Sequence, residues 1–357
     1  MNILGRLKRH TDCDAHRPRR GSARASRSLL PLFWCWGLFA APAHAADFYG
    51  GKTITIIVGF TAGGGYDITA RLYARHWSRF IPGHPTIVVS NMPGAGSAVA
   101  ATSLYTATPQ DGTRLGVIAG GAVIDPLLGS QARYDARKFH WIGGRAPEPS
   151  VCALWHEAPV KKFEDVLRIE TTVGASGPGS RTVSYPKLMN DLLGAKFKVV
   201  AGYPGGSEIS LAMERREVDG HCGLAWGSAK GRLADWLKAG KLNNIVQFAL
   251  TKAPDLPDVP LAGDLMKSEN DRKAIELLES DAVLAWPLLA PPGTPPERVQ
   301  ELRASFEAML GDREFLADAE KQKLDVELVP GEALRKVVED VYATPPDVIA
   351  IVKKSME

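Results

Sequence analysis

Thr53-Ile54-Thr55-Ile56-Ile57-Val58-Gly59-Phe60-Thr61-Ala62-Gly63-Gly64-Gly65-Tyr66-Asp67-Ile68-Thr69-Ala70 reads as a buried strand that runs into three consecutive glycines and then turns helical. Glycines lack the Cβ that keeps backbone N–H groups away from a ligand, and the following helix adds its unsatisfied donors and positive dipole end. The stretch therefore has the form of an anion cradle. The pattern returns at Thr86-Ile87-Val88-Val89, which leads into Asn91-Met92-Pro93-Gly94-Ala95-Gly96-Ser97 and an alanine-rich helix. Two further versions follow, Gly174-Ala175-Ser176-Gly177-Pro178-Gly179-Ser180 and Tyr203-Pro204-Gly205-Gly206-Ser207.

Around these loops, short apolar runs alternate with segments of helical period, the sequence form of an α/β fold with largely parallel sheets. One series has strands near 53–59, 86–90 and 115–119 with helices near 67–80 and 97–108. A second has strands near 151–155, 171–175, 197–202, 220–226 and 245–250, with helices near 180–193, 206–216 and 229–239. Gly143-Gly144-Arg145-Ala146-Pro147-Glu148-Pro149 is the crossing between them. Leu284-Ala285-Trp286-Pro287-Leu288-Leu289-Ala290 reads as a returning strand, followed by an amphipathic helix over 297–310 with Thr294 as its expected N-cap. Helices near 312–322 and from Gly331, with a strand at 325–329, complete the chain. The expected organisation is a signal segment over 1–45, a first lobe over 46–146, a second over 147–283, and a return to the first lobe over 284–357.

Residues 1–45 have a basic start, an apolar run from Leu29 to Ala41 and a small-residue exit, Ala43-His44-Ala45. Secretion to the periplasm with cleavage before Ala46 is expected. Arg19-Arg20 also invites twin-arginine export, and Cys35 a lipid attachment, although bulky Phe33 and Trp34 argue against the latter. Without this segment, 35 of the 43 Lys and Arg residues face 38 of the 40 Asp and Glu residues, so the precursor's basic excess belongs to its targeting end. No basic stripe with interleaved aromatics suggests nucleic acid, and no later run is apolar enough for a membrane span. Cys152 and Cys222 are the two cysteines beyond it; they could pair in an oxidising compartment or serve as small hydrophobes.

In open α/β sheets, ligands sit beyond the carboxyl ends of the strands. The candidate ligand-binding residues are therefore Phe60, Ala62, Gly63, Gly64, Gly65, Tyr66 and Asp67, with Gly94, Ala95, Gly96, Ser97 and Gly120, from the first lobe. The second lobe offers Gly177, Gly179, Ser180, Arg181, Tyr203, Gly205 and Gly206. Asp67 belongs in a helix first turn, where a carboxylate accepts orphan N–H bonds and stiffens the loop; a ligand hydroxyl or ammonium would be its other partner. Arg71 and Arg75 are either solvated or paired with Asp67. Arg181 could reach a second ligand carboxylate, and Tyr203 either faces the cleft or packs. Enzyme readings lack support: no Gly-Lys-Ser/Thr ending, Gly-x-Ser-x-Gly elbow, His-Glu-x-x-His or Cys-x-x-Cys is present, and the histidines and tryptophans are scattered singly. Neither a metal nor a cofactor is expected.

At these residues the chain resembles the Bug family, the extracytoplasmic solute receptors of tripartite tricarboxylate transporters. The likeness is carried in order by 56–67 with Ala70-Arg71, Asn91 to Ser97, Ala107-Thr108-Pro109-Gln110-Asp111-Gly112-Thr113, the 174–180 loop and Tyr203 to Gly206. It continues through Val218-Asp219-Gly220, Pro257-Asp258-Val259-Pro260 and Ala290 to Pro295. The resemblance implies a type II periplasmic binding protein fold, two lobes of mostly parallel sheet flanked by helices on a hinge of two crossings. It also implies capture of a small organic acid in the interlobe cleft and delivery to permease subunits in the membrane. Phe60–Asp67 and Gly94–Ser97 would hold one ligand carboxylate, and the loops at 177–181 and 203–207 its far end. Three positions depart from the pattern: Gly59 where proline is usual, Ser97 where a second glycine is common, and Pro204 where a basic residue often follows the tyrosine. Dicarboxylates, tricarboxylates, aromatic acids and amino acids stay open as ligands. A ligand-dependent sensor docking on a signalling partner is the second reading of the same fold.

Overall fold

The computed structural model describes residues 48–106, 109–129, 132–178, 180–284 and 286–356; the expected signal segment and Gly179 lie outside them. In chain order the elements are β1 (Thr53–Val58), α1 (Gly65–Trp77), β2 (Thr86–Asn91), α2 (Ala98–Thr106), β3 (Arg114–Val117), α3 (Gly121–Ile124) and β4 (His140–Gly144). Then come β5 (Ser150–Trp155), α4 (Phe163–Val166), β6 (Thr171–Ala175), α5 (Arg181–Leu193), β7 (Phe197–Ala201), α6 (Gly206–Glu214), β8 (Gly220–Ala225), α7 (Trp226–Arg232), α8 (Ala234–Lys238) and β9 (Leu242–Phe248). The remainder is α9 (Glu269–Val283), β10 (Leu288–Ala290), α10 (Pro296–Leu310), α11 (Arg313–Lys321), β11 (Val329–Pro330), α12 (Gly331–Tyr342) and α13 (Pro346–Met356).

Two sheets result, ordered β11-β4-β10-β3-β1-β2 and β7-β6-β8-β5-β9. In the first, β1 lies between β2 and β3, parallel to both, with Thr53 opposite Thr86 and Val58 opposite Asn91. The apolar run of β1 is buried on both faces because it is central, whereas edge strand β2 is half-covered. Parallel pairing places the loops after β1, β2 and β3 on one edge of the sheet. In the second sheet β6 pairs in parallel with β7 and β8, so the loops after those strands also share an edge.

The sheets are mixed rather than mostly parallel. β10 runs antiparallel to β3 and β4, and β5 antiparallel to β8 and β9. The reason is topological: β5 and β10 are the strands that enter each sheet directly from a crossing, not through a β-α-β connection. The architecture is otherwise the two-lobed type II form. Sequence reading missed β4, α9 and α13. α9 buries Ala274, Ile275, Leu277, Leu278 and Ala282, and is capped by Ser268, which accepts the Asp271 N–H at 3.1 Å. The expected strand at 325–329 contracts to Val329–Pro330. Thr294 is not the N-cap of α10: Pro296 takes the first helical position, Pro295 the cap, and the Thr294 N–H closes a turn on Pro291 O.

The two crossings are fastened to each other by buried charge. Arg145 and Glu148, 1% and 4% exposed, both lie on the first crossing and pair at 2.7 Å. Glu148 also accepts the Gly227 N–H at 2.5 Å and the indole N–H of Trp286, which sits on the second crossing. The guanidinium lies 4.6 Å from the Trp286 ring centre and donates to Asp325 O at 3.0 Å. In the second lobe, Cys152 and Cys222 face each other across β5 and β8 and form a disulfide spanning 70 positions. Because removing one member of a buried pair strands the other's charge, Glu148→Gln is expected to lower unfolding stability by about 3–5 kcal/mol. Chemical denaturation checks this.

Candidate functional site

The loop after β1 is built around Asp67, which is 2% exposed. One carboxylate oxygen accepts the Gly63 N–H at 2.8 Å, where the backbone adopts φ +80°. Arg71 Nε–H donates to both oxygens at 3.0 and 2.9 Å, and Asn91 Nδ2–H donates to Asp67 at 2.9 Å and to Phe60 O at 2.9 Å. Burial alone would raise the Asp67 carboxyl, but these donors outweigh it and hold it below the usual carboxylate range. Asp67 therefore shapes the loop from behind. Asn91, at the end of β2, ties this loop to the next, a role the sequence reading did not assign to it.

The second loop carries four successive positive φ values, Gly94 at 143°, Ala95 at 46°, Gly96 at 61° and Ser97 at 87°. Such a run makes a concavity of backbone N–H groups suited to an anion. Ala95 and Ser97 adopt it against the preference of residues with a Cβ. Ser97 is anchored by its hydroxyl, which accepts the Ala119 N–H at 3.1 Å and so binds the loop to the end of β3. Two departures from the family pattern explain each other here: a Cβ on Gly59 would lie 2.0 Å from Ser97 Oγ, so the serine takes the space that any larger residue at 59 needs.

The second lobe meets these loops directly. A Cβ on Gly177 would lie 2.6 Å from Gly96 N, and one on Gly205 would lie 2.7 Å from Thr61 Oγ1. Thr61 Oγ–H donates across the cleft to Glu208 at 3.0 Å. Phe60 stacks on Tyr66 at 4.7 Å, and Tyr66 lies 4.5 Å from the Trp286 ring. The structure thus brings together Phe60 to Gly65, Gly94 to Ser97, Gly177, Gly205 and Gly206.

Arg181, expected to reach a second ligand carboxylate, has a carboxylate of the chain's own. It is 7% exposed, pairs with Asp281 at 3.1 Å, and donates to Ser150 Oγ at 2.6 Å and to Tyr66 Oη at 2.9 Å. A guanidinium buried this far needs such partners. Burial raises the Asp281 carboxyl, with Arg181 acting against it, and burial likewise pushes the Tyr66 phenol up to about 12. Gly120 is where Asp281 arrives, since a Cβ there would lie 2.2 Å from Asp281 Oδ1. Ser180 caps the start of α5 by position and its hydroxyl meets Thr182. The Tyr203 ring packs beside Ala212, Met213 and Val218, the packing side of its two readings. His76, Asp312 and Glu314 are grouped as metal ligands could be, but Arg79 neutralises both carboxylates and His76 meets Asp318.

No family model matches the chain. A UPF0065 protein from the gbd 5' region of Cupriavidus necator is 27% identical over 301 residues, covering 81% of this chain and 82% of that relative. A second UPF0065 protein, from the TAR-I ttuE-ttuC' intergenic region of Agrobacterium vitis, is 27% identical over 278 residues, covering 76% and 75%. Among solved structures, the periplasmic binding protein BugD superposes with a TM-score of 0.69 at 21% identity, covering 86% of this chain and 98% of its own. The chain has the fold of the periplasmic binding protein BugD. MatC from Rhodopseudomonas palustris with bound malate superposes at a TM-score of 0.66, 22% identity and coverage of 86% and 99%; R. palustris Rpa4515 with adipate gives 0.67, 21%, and 84% and 97%. These likenesses establish the fold. Among the described residues, no helix is long and apolar enough to cross a membrane.

Two outcomes follow from the loop geometry. Gly59→Ala is expected to destabilise the protein by about 1–3 kcal/mol through overpacking, and Ser97→Gly in the same chain to recover most of the loss, as a double-mutant cycle in urea will show. Asp67→Asn is expected to lose about 1.5–3 kcal/mol at pH 6. Because the folded carboxyl lies below its unfolded value, that advantage of the native residue is full above about pH 4 and fades as pH falls through the folded value. Denaturation curves of both proteins from pH 6 to 2 measure the closing gap.

Proposed function

We propose that this protein is a periplasmic receptor that captures a small organic carboxylate between its lobes and delivers it to membrane permease subunits of the tripartite tricarboxylate type. In this reading residues 1–45 are a cleaved export signal, and 46–146 with 284–357 form one lobe and 147–283 the other. The observation that carries it is the convergence of the Phe60–Gly65 and Gly94–Ser97 loops at one sheet edge, both containing glycines at positive φ and both facing second-lobe glycines. A carboxylate there would be held by main-chain donors and the α1 N-terminus, which strengthen as water is excluded. The malate and adipate carried by two of the similar structures support the same ligand class.

A thermal-shift screen of the mature protein, refolded to strip carried-over ligand, against mono-, di- and tricarboxylates, aromatic acids and amino acids tests the proposal. A ligand at 100 times its Kd adds about 2.7 kcal/mol of stability. A shift confined to one acid class is expected. Gly64→Val is expected to abolish that shift and leave the fold intact, since a Cβ at 64 meets only Thr61 O, at 3.6 Å. An undiminished shift in Gly64→Val would refute the site, and a flat panel on folded protein would refute the carboxylate reading.

A further inference from the structure

Arg181 opens α5 and Asp281 stands near the end of α9, so both members of this buried pair lie within 147–283, as does Ser150, which accepts from Arg181 at 2.6 Å. Two of the pair's contacts cross to 46–146. Arg181 Nη2 donates to Tyr66 Oη at 2.9 Å, and Asp281 is seated on Gly120, where a Cβ would lie 2.2 Å from its Oδ1 and 3.0 Å from its Cα. Gly120 has ordinary right-handed helical dihedrals, φ −60° and ψ −32°, open to any residue. Its missing side chain therefore answers to the approach of Asp281 and not to a turn. Beside the pair, between Gly121, Ile124 and Leu128 on one side and Pro178, Ser184 and Leu278 on the other, the space left is about 10 Å³, room for about one water. Thr61 donating to Glu208 at 3.0 Å is a further side-chain bond from one segment to the other.

We propose that the Arg181–Asp281 pair is a latch: carried by the 147–283 lobe, it docks on Tyr66 and Gly120 of the other and holds the cleft closed with the chain's own groups, so that a ligand enters through transient opening and does not itself cause closure. The inference rests on the receptor reading above for what closure serves. Its logic is electrostatic. A lone guanidinium or carboxylate brought into the interface would lose its hydration at every closure, whereas this pair is formed inside one lobe and moves as a neutral unit. Parting the lobes then breaks the Tyr66 hydrogen bond and the packing on Gly120 without separating two charges. Such a contact favours the closed form and still releases it. The Arg145–Glu148 pair differs in place, since it lies on the first crossing and meets Trp286 on the second. It fastens the hinge, while Arg181–Asp281 governs whether the lobes meet.

The test is a pulsed spin-label distance measurement on the mature protein, denatured and refolded without reductant so that carried-over ligand is lost and Cys152–Cys222 stays joined. Nitroxides are attached through Thr86→Cys and Lys198→Cys, exposed positions on β2 and β7, the edge strands of the two sheets. One short distance is expected with no ligand added. Gly120→Ala places its Cβ against Asp281 and is expected to move the distribution to a longer distance, with the helical signal and cooperative unfolding retained. Tyr66→Phe removes the hydrogen bond from a charged donor and is expected to lower the ratio of closed to open by about 10-fold or more. Should Gly120→Ala not fold, Tyr66→Phe carries the comparison alone. A long distance in the unsubstituted background, or an unchanged distribution in the folded variants, would overturn the latch. No carboxylate is used, so either result leaves the receptor reading standing, and a flat carboxylate panel beside the expected distances would overturn that reading and leave the latch.

Discussion

The buried Arg145–Glu148 pair and the Trp286 indole hold the two crossings of the chain together, and the positions of the other site residues follow from that attachment. Two charges almost removed from solvent persist only where their remaining hydrogen-bonding capacity is met. Here Gly227 N–H and Asp325 O supply much of it, while Arg145 Nε is buried without a partner and the guanidinium faces the Trp286 ring. Trp286 pays with a left-handed backbone, φ +57°, and is fixed there by Glu148, Tyr66 and Tyr73, whose hydroxyl reaches its carbonyl at 3.4 Å. From Trp286 the contacts run through Tyr66 to Arg181 and Asp281, so the hinge and the cleft share one unbroken set of packed groups.

That arrangement divides the charged groups near the cleft into two kinds. Asp67 with Arg71 and Arg181 with Asp281 are satisfied within the protein, and each shapes a loop or joins the lobes. The Gly63 and Ser97 N–H groups already serve Asp67 and Gly94 O, whereas Ser207 Oγ, His221 Nδ1 and Arg232 Nε at the α6 start are held in place without a partner. Stiff surroundings and unspent donors together are what a binding cleft requires, because donors oriented in advance lose little entropy when a ligand arrives. The pairing of Gly59 with Ser97 is an instance at the smallest scale: one side chain is deleted so that another can reach the end of β3 and fix a loop in which Ala95 and Ser97 are strained.

Much of this was legible in the sequence because it depends on short-range rules. The period-two and 3.6-residue patterns, the glycines after each apolar run, and the proline-rich crossings specify strands, helices and turns from neighbours in the chain, and the order of motifs specifies the family likeness. Less visible were elements whose role is set by distant partners. β4 is short and ends in the glycines that read as part of the crossing, and α9 hides its apolar stripe among acidic residues; α9 then supplies Asp281, which redirects Arg181 from a ligand to the protein. Asn91 stood inside a quoted motif, but nothing local says that its amide spans two loops. His221 and Arg232 are single residues in unremarkable contexts, eleven positions apart and joined only where β8 and α7 fold beside α6.

The sequence by itself determined the α/β class, the four glycine-rich loops and the absence of arranged catalytic motifs, since each rests on local backbone preference and side-chain type. Only the tertiary structure decided which way β5 and β10 run, that Cys152 and Cys222 are joined, and which charges are consumed internally. The physical reason is that burial and pairing are properties of surroundings. An arginine has the same formula at 181 and at 232; one is enclosed with a carboxylate, and the other is left with an unpartnered nitrogen beside a helix N-terminus.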